Sequence, residues 1–449
     1  MVATELRLLA GSTDGGGSLN TIQEVSRSPE PRKAGDRVDP AAGGGHGSLM
    51  PGPLEGMKVV ELGFWVAGPA AAGILSDWGA DVIKIEPPRG DPFRGIFMSA
   101  VGIDVPFNPP FELDNRGKRS IVIDLKHEEG RQLARELIAG ADVFVSNLRP
   151  GALDKLGLDY ETLAQSNPGL VYCSVTGYGV TGPDRDRPAY DIGAFWSRAG
   201  VAAMLTPEGH EPPVQRGGMG DHTTAITAAS GVCAALVARG RTGRGQHVVT
   251  SLLRAGMYVV GWDVATRLRF GYIAPPGTRA SAPNPIANSY RAGCGKWFWL
   301  IGLEADRHWP DVCRAIARAD LLDDPRTANI VKRREHGAEV VGMLEQEFAR
   351  RPLAQWAEIF DREGVWWSPV QDCDDIANDP QVRACGGVVP FDAAQGLPEQ
   401  LATPVDFLGT PWQAARSAPE AGQHTEDVLL ELGRDWEAIA GLKERGVIP

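Results

Sequence analysis

Cysteine pairs, basic charge and long apolar runs are all scarce in this chain, and each shortage excludes a class of protein. Six cysteines among 449 residues show neither CxxC pairs nor Cys/His spacing, so the sequence predicts no metal site and free thiols in a reducing compartment. The formal net charge of −12 argues against nonspecific nucleic-acid binding, which needs a basic face. No apolar run approaches the ~18–20 residues of a membrane span, and the N-terminus lacks signal-peptide features. We therefore expect a cytoplasmic protein with neither a membrane nor a nucleic-acid partner.

Length and composition divide the chain. Residues 1–49 are rich in Gly, Ser, Pro and charge, and such a segment cannot bury enough apolar surface to offset its ordering entropy. We predict that it is a disordered extension. The remaining chain is too long for one ordinary core, so two or more structural units are expected.

Short apolar strands alternate with helical segments in the first half of the chain. Strands are predicted at 58–62, 81–85, 120–124, 141–145 and 170–175, with helices at 70–78 and 128–139. This order predicts an α/β fold with an open, mostly parallel sheet. A turn is predicted at 67–69, within the strand–helix segment GFWVAGPAAAG. This segment lacks the G-x-G-x-x-G spacing, so no dinucleotide site is predicted there.

After residue 250 the pattern changes to that of a smaller α+β unit. A helix is expected at 252–270, an aromatic strand at 296–301, further helices at 304–316, 335–349 and 353–363, and a strand-like stretch at 365–370. Asp374–Asn378 is expected to open a turn, and helices return at 425–432 and near the C-terminus.

Asp221 stands in the stretch GGMGDHTTAITAASG, where a glycine run leads into a small-residue helix predicted at 223–237. Glycines allow the backbone to approach a ligand closely, and a helix N-terminus favours an anion. Two interpretations are open at this point: Asp221 caps the helix, the commonest role for such a residue, or it is a reactive carboxylate.

Several motifs, taken together with their order and spacing, favour a reactive carboxylate over a helix cap at Asp221. They are LEGMKVVELG…AGP, GADVIKIEPPRGDPFR, NRGKRSIVIDLK, ADVFVSNLRPGALDKLGLDY, SVTGYG with TGP, GD at 220–221, and RTGRGQHV. From about residue 54 to 449 the chain resembles the class III CoA-transferases, a superfamily that includes formyl-CoA transferase, carnitine CoA-transferase and α-methylacyl-CoA racemase.

The resemblance implies a Rossmann-like large domain built from both chain ends, a small domain between them, and an interlocked homodimer. On this basis we expect a large CoA-binding domain at 50–255, completed by about 405–449, a small domain at 275–385, and linkers at 256–274 and 386–404.

The resemblance also implies chemistry. Asp221 falls on the family nucleophile, which accepts an acyl group and then CoA; acyl-CoA and a carboxylic acid are the substrates, with CoA as co-substrate and no cofactor. Backbone N–H groups of residues 217–220 would stabilise the oxyanions. The CoA-binding residues expected from the family pattern, together with two arginines suited to phosphate, are Val66, Ala67, Arg89, Arg94, Ile123, Asp124, Leu125, Lys126, Asn147, Leu148, Arg149 and Lys155.

Departures from particular members narrow the activity. Val66 and Ala67 stand where formyl-CoA transferase has a glutamine. The glycine-rich loop that covers the site of formyl-CoA transferase is missing from this chain, which has Ala292–Gly295 nearby. We therefore do not expect the small-acid specificity of formyl-CoA transferase. Tyr190, before Asp191, occupies the place of the racemase histidine, and tyrosine is a poor general base, which favours transfer. His222 is expected to point elsewhere or to bond locally, and Asp191 to be structural.

Aromatic residues predict a bulky apolar acyl group, with a core or interface role as the alternative. The set comprises Phe195, Trp196, Trp262, Trp297, Trp299, Trp366 and Trp367. An acyl-CoA racemase and a CoA-binding protein without turnover remain the alternative functions.

Overall fold

The parallel sheet predicted for the first half of the chain is present. A computed structural model describes residues 52–103, 108–391, 398–412 and 416–449; the predicted extension at 1–49 lies outside the described residues. Six strands form the sheet in the order β3-β2-β1-β4-β5-β6, and every pairing is parallel. This is the strand order of the doubly wound dinucleotide-binding folds, in which ligands bind where the order reverses, between the first and fourth strands. The strands are β1 Lys58–Leu62, β2 Asp81–Glu86, β3 Arg119–Val122, β4 Val143–Ser146, β5 Val171–Thr176 and β6 His247–Ser251.

The helices described in this part of the chain are α1 Ala67–Asp77, α2 Ile96–Val101, α3 Pro109–Asn115, α4 Glu128–Ala139, α5 Pro150–Leu156, α6 Tyr160–Ser166, α7 Val201–Met204, α8 Met219–Thr242, α9 Leu252–Val259 and α10 Gly261–Phe270. Among them, α1 and α8 pack on one face of the sheet, and α4, α5 and α6 pack on the other. A π-helix, Ile192–Arg198, precedes α7.

The middle of the chain contains a second, antiparallel sheet, β7-β8-β9, and a hairpin, β10-β11. Its elements are β7 Ala287–Arg291, β8 Trp297–Ile301, α11 Ala305–Ala315, α12 Ile330–Glu335, α13 Gly337–Phe348, α14 Leu353–Glu363, β9 Trp367–Pro369, α15 Cys373–Asn378, α16 Pro380–Ala384, β10 Val388–Pro390 and β11 Glu399–Leu401. Two helices end the chain, α17 Thr425–Glu431 and α18 Trp436–Glu444. The domain and linker boundaries stay predictions.

Each face of the large sheet has its own core. One face packs on α1 and α8, and neighbouring β1 residues alternate between the two cores, Val59 on this face and Val60 on the other. The second face packs on α4, α5 and α6 and on the C-terminal helices α17 and α18. Backbone bonding joins the last residues to this layer, because Asp124 N donates to Val447 O at 2.9 Å. A third core, from Ile286 to Val365, supports the antiparallel sheet.

Three local predictions were wrong. The turn expected at 67–69 is the first turn of α1, where Pro69 is tolerated because its missing N–H has no helical partner. The single helix expected at 252–270 is two helices, which meet at Val260, whose backbone (φ −95°, ψ 26°) is not helical. The turn expected at 374–378 is α15, because Asp372 and Asp375 form a capping box at its start.

Helix α8 corrects the expectation about apolar runs. In the described chain it is the one helix long and apolar enough to cross a membrane by length and composition. Core helices of soluble proteins have the same length and composition. Here α8 packs against α1 and against strands β5 and β6.

Candidate active site

A cleft of about 490 Å³ opens at the carboxyl ends of β1, β4, β5 and β6. Six of the thirteen predicted site residues line it. The full lining is Phe64, Trp65, Val66, Ala67, Asn147, Leu148, Arg149, Ala152, Val175, Thr176, Gly177, Pro188, Ala189, Tyr190, Asp221 and Leu252. The sheet reverses its strand order here, so the cleft lies where this class of fold binds ligands.

Asp221 does not cap its helix. It lies in the first turn of α8, whose N-cap is Gly218, with φ 78° and no side-chain cap bond. The anion at this helix start is Asp191: its Oδ2 accepts from Gly220 N at 3.0 Å, and its Oδ1 accepts from Gln215 Nε2 at 2.6 Å. Because Asp191 accepts the helix-start N–H, the Asp221 carboxylate is left free of the capping role.

Gly220 is required by close packing. A Cβ at this position would meet Phe195 Cγ at 2.2 Å and Asp191 Oδ1 at 2.3 Å. Any larger residue would push the first turn of α8 away from the π-helix segment and displace the neighbouring Asp221. The Gly–Asp dipeptide therefore couples a packing requirement to the placement of one carboxylate.

The Asp221 carboxylate is partly buried and accepts no hydrogen bond from the described residues. Burial, together with the charges of Asp191 and Asp114 and against the opposing charge of His222, raises its pKa to about 7. A carboxylate with such a pKa is more basic, and a better nucleophile, than an ordinary aspartate, yet ionises near neutral pH.

His222 faces away from the cleft, as expected. Its Nε2 lies 2.9 Å from Asp114 Oδ1, and its ring lines a separate cavity of about 450 Å³ beside α1 and α3. Hydrogen bonding to buried Asp114 raises the pKa of His222. The histidine thus acts on Asp221 through its charge and not as a base in the cleft.

The loop after β1 forms one wall of the cleft and is tied down from two sides. Phe64 N donates to Asn147 Oδ1 at 3.0 Å, and Asn147 Nδ2 donates to Phe64 O at 2.7 Å. Trp65 N donates to Asp91 Oδ1 at 3.1 Å. The predicted CoA residue Asn147 therefore has a structural task in this chain: it clamps the loop.

A buried charge cluster supports the same loop from below. Lys84 Nζ contacts Glu61 Oε1 at 2.7 Å, Asp91 Oδ2 at 2.9 Å and Gly63 O at 2.8 Å. Lys118 Nζ contacts the other oxygen of Glu61 at 2.6 Å. None of the four side chains, those of Glu61, Lys84, Asp91 and Lys118, has any exposed surface. Buried charges in such a closed network fix geometry.

Seven predicted residues lie outside the cleft lining. Arg94 forms a two-contact pair with Glu86 (2.9 and 2.7 Å) and also donates to Pro419 O, so a phosphate would have to compete for its guanidinium. Ile123 is fully buried in the second core. The other five are exposed or partly exposed: Arg89, Asp124, Leu125, Lys126 and Lys155.

Sequence reasoning missed part of the aromatic wall. Phe64 and Trp65 line the cleft, together with Tyr190, the residue at the place of the racemase histidine. None of the seven aromatic residues predicted for the acyl group lines the cleft: Phe195 and Trp196 are core residues, Trp367 packs against the third core, and Trp262, Trp297, Trp299 and Trp366 are exposed elsewhere. The position of Trp65 in the sequence could have indicated its role, because it directly precedes the predicted site residue Val66 at the start of α1.

The described residues contain no cluster of His, Cys, Asp and Glu arranged to hold a metal ion. Among these residues, the groups that meet in the cleft are one carboxylate, one arginine, backbone at the start of α1, and aromatic rings. This arrangement suits acyl chemistry at a carboxylate.

Comparison with known proteins agrees with this description. A family model described as CoA-transferase family III matches residues 54–425. The chain is 34% identical over 399 residues to (R)-2-hydroxy-4-methylpentanoate CoA-transferase of Clostridioides difficile, covering 88% of this chain and 99% of that one. It is 33% identical to cinnamoyl-CoA:phenyllactate CoA-transferase of Clostridium sporogenes, covering 87% and 96%.

Further matches extend to another acyl class and to a solved structure. Succinate–glutarate CoA-transferase of Agrobacterium fabrum is 33% identical, covering 85% of this chain and 96% of that one. A crystal structure of a CAIB/BAIF family protein from Brucella suis superposes with a TM-score of 0.75 at 32% identity, covering 85% and 100%. The chain therefore belongs to the class III CoA-transferase family, and it is an enzyme of CoA transfer.

Proposed function

We propose that this enzyme moves CoA from an acyl-CoA thioester to a free carboxylic acid through covalent intermediates on Asp221. The observation that carries the proposal is a carboxylate in a cleft at the switch point of the sheet, with a pKa raised to about 7 and no hydrogen-bond partner among the described residues. A carboxylate suits this task because it can hold an acyl group as an anhydride and CoA as a thioester. Forming these intermediates in turn divides one difficult exchange into easier steps.

The steps balance as follows. The Asp221 carboxylate attacks the thioester carbonyl, the C–S bond breaks, and an aspartyl–acyl anhydride and CoA thiolate result. The thiolate then attacks the aspartyl carbonyl, which releases the donor acid and leaves an aspartyl–CoA thioester. The acceptor carboxylate attacks the aspartyl–CoA thioester, which releases CoA thiolate and forms an anhydride between Asp221 and the acceptor. The thiolate then attacks the acceptor carbonyl of this anhydride, which gives the new acyl-CoA and restores the Asp221 carboxylate.

Each tetrahedral state carries an oxyanion that needs donors. Of the expected donors at 217–220, Gly220 already donates its N–H to Asp191 Oδ2, and the N–H of nearby His222 is donated to Gly218 O, so neither of these two N–H groups is free to bind the oxyanion. The first turn of α1, which begins at Ala67 in the cleft lining, offers unpaired N–H groups and the positive end of a helix dipole. We assign oxyanion stabilisation to this helix start.

CoA enters beside the same helix. Arg149 is the cation in the cleft lining, and Arg89, Lys126 and Lys155 are exposed cations outside it. We propose that the pantetheine end passes Val66 and Ala67, and that these exposed cations bind the phosphates. CoA is a co-substrate in this scheme, and no other cofactor takes part.

A bulky, apolar acyl group fits the aromatic wall of the cleft. Phe64, Trp65 and Tyr190 line it, and two relatives are named for a branched and for an aryl substrate. The proposal of a bulky acyl group therefore rests on these three rings and on the two relatives, and not on the seven aromatic residues predicted from the sequence.

A second copy of the chain is proposed to cover the exposed apolar face of α9 and α10. Helix α10 contains no buried residue, and Tyr258, Trp262, Leu268 and Phe270 are between 73% and 89% exposed. Patches of this kind mark interaction surfaces, and the family resemblance implies an interlocked homodimer. Light scattering of the purified protein tests it: a monomer at micromolar concentration contradicts the proposal.

The mechanism is tested by trapping. The enzyme is incubated with aryl, branched and dicarboxylic acyl-CoA thioesters, then treated with hydroxylamine or borohydride and mapped by mass spectrometry. We expect modification of Asp221 only when a thioester is present, and none in Asp221→Asn. A label on another residue contradicts the mechanism.

The racemase alternative is separated by the same incubation in D₂O without an acceptor acid. We expect no deuterium at the α-carbon, because Tyr190 stands where a base would be needed. Solvent exchange at that carbon without transfer would favour racemisation.

A further inference from the structure

Trp65 has an unusual backbone conformation. Its φ is 67°, and among the described residues only one other non-glycine residue, Ala317 with φ 56°, has a positive φ. For a bulky side chain this conformation is strained, and glycine would adopt it readily. A tryptophan at such a position indicates that its ring has a task, because strained residues concentrate where a fixed geometry is used.

The surrounding contacts hold this conformation in place. Asp91 Oδ1 accepts the N–H of Trp65 at 3.1 Å, and Asp91 itself is 2% exposed and paired with fully buried Lys84 at 2.9 Å. Phe64, one residue earlier, is clamped on both its N–H and its carbonyl by Asn147. The backbone of Trp65 is therefore fixed from both sides, and so is the direction of its side chain.

The indole is supported on its inner side and faces the cleft. Its ring lies 6.3 Å from the ring of buried Phe93, at an interplanar angle of 51°. It lies edge-to-face on Tyr190 at 5.7 Å and 87°, and Tyr190 is 63% exposed. Trp65 and Tyr190 thus form a two-ring wall in the cleft that contains Asp221.

We propose that Trp65 determines acyl specificity: with Tyr190, its indole forms the wall against which a planar unsaturated or aryl acyl side chain packs beside Asp221. Aromatic rings offer both a large apolar area and an edge or face contact to another ring, and a small acyl group such as acetyl would leave this wall without contact. The inference rests on the proposed function, since it assumes that the acyl group is bound next to Asp221.

The test compares Trp65→Gly with Ala317→Gly as a matched control. Both changes relieve a positive φ, but Ala317 lies in the turn after α11, in the unit that carries the antiparallel sheet. For each protein, kcat/KM is measured with cinnamoyl-CoA and with acetyl-CoA as donors and one common acceptor acid. We expect Trp65→Gly to lower the cinnamoyl-to-acetyl ratio by about 10-fold or more, Trp65→Phe to retain most of it, and Ala317→Gly to leave it unchanged.

A binding measurement separates this inference from the mechanism. In the Asp221→Asn background the thioesters stay intact, and the ratio of dissociation constants for cinnamoyl-CoA and acetyl-CoA is compared with and without Trp65→Gly. We expect the same loss of aryl preference. An unchanged ratio, with the acetyl-CoA affinity retained as a sign of correct folding, overturns the role of Trp65. Failure to label Asp221 in the wild-type enzyme instead contradicts the proposed mechanism and leaves this binding ratio as an independent result.

Discussion

Two carboxylates near the first strand–helix loop have opposite surroundings. Glu61 has no exposed surface, and although burial alone would raise its pKa, Lys118 and Lys84 outweigh that effect and hold the pKa below its usual value. Asp221 is partly buried and has no hydrogen-bond or ion-pair partner within the part of the chain that the structure describes, and burial together with Asp191 raises its pKa to about 7. The same functional group is thus held ionised and paired at one position, and left basic and unpaired at the other.

The two sites depend on each other through the loop between them. Lys84, paired with Glu61, also binds Gly63 O and Asp91, which in turn accepts the N–H of Trp65. The paired acid therefore fixes the wall of the cleft in which the unpaired acid lies. The ion pairs of Glu61 with Lys84 and Lys118 thus fix the geometry of the site, and the Asp221 carboxylate supplies its reactivity.

The largest effect is expected from Asp221→Asn. Removing the nucleophile should lower kcat by at least about 10³-fold, measured as CoA transfer between two acids by mass spectrometry. Stability should move the other way: we expect the free energy of unfolding at pH 8 to rise by about 1–3 kcal/mol, since a partly buried charge next to Asp191 is removed. An active variant, or one that is strongly destabilised, contradicts the division of roles.

Glu61→Gln should mainly damage the fold. Breaking a buried pair that serves two lysines is expected to cost about 3–5 kcal/mol in free energy of unfolding, measured by urea denaturation. Glu128→Gln is the control, because Glu128 pairs with Arg131 and Arg135 at the surface and exposed pairs contribute little. Equal losses in the two variants would mean that burial of the pair does not matter.

Gly220→Ala should separate geometry from charge. The added methyl would lie 2.2–2.3 Å from Phe195 and Asp191, and we expect a loss of about 1–3 kcal/mol in unfolding free energy with reduced Asp221 labelling. Gly240→Ala is the matched control in the same helix, where a Cβ meets nothing within 4 Å; it should be neutral or stabilising by up to about 1 kcal/mol. Similar behaviour of both variants would contradict the packing argument.

Asp191→Asn should have the smallest effect, a shift in pH dependence. The groups that face Asp221 are Asp191, Asp114 and His222, with Tyr190 and Arg149 also in the cleft lining. In the wild type, acyl-enzyme formation should rise as the pH passes about 7, because the carboxylate is the reactive form. Removing the like charge of Asp191 lowers the pKa of Asp221, so the variant should keep its rate to lower pH.

The control for this shift is Asp184→Asn, a partly exposed acid that is paired with Arg198 and does not line the cleft, for which the midpoint should stay in place. An upward shift or no shift in Asp191→Asn would remove Asp191 as a cause of the raised pKa.

Much of the fold could be predicted because its signals are local. The helix Glu128–Ala139 and the strand Lys58–Leu62 were predicted with the bounds that the structure has, since apolar periodicity and Gly/Pro boundaries lie within each segment. The family resemblance, confirmed by the comparisons, supplied the class of enzyme.

The site details depend on contacts between distant residues. Asp191 and Gly220 are 29 positions apart, so no local pattern shows that Asp191 takes the helix start and leaves Asp221 free. The positive φ of Trp65 is likewise imposed by Asp91 and Asn147, which come from other segments. Local sequence could propose Asp221 as a cap or as a nucleophile, but only the packed chain distinguishes these roles.

The C-terminal helices have a consequence for synthesis of the protein. Strands β1 to β5 are complete by Thr176, yet the core on one of their faces includes Val428, Leu442 and Ile448. At roughly 5–20 residues per second, the ribosome needs on the order of 10–50 s to deliver those residues. During that interval the sheet face has only α4, α5 and α6 packed on it, and the apolar surface that α17 and α18 later cover stays exposed. We therefore expect loss of α17 and α18 to destabilise the fold although neither helix lines the cleft.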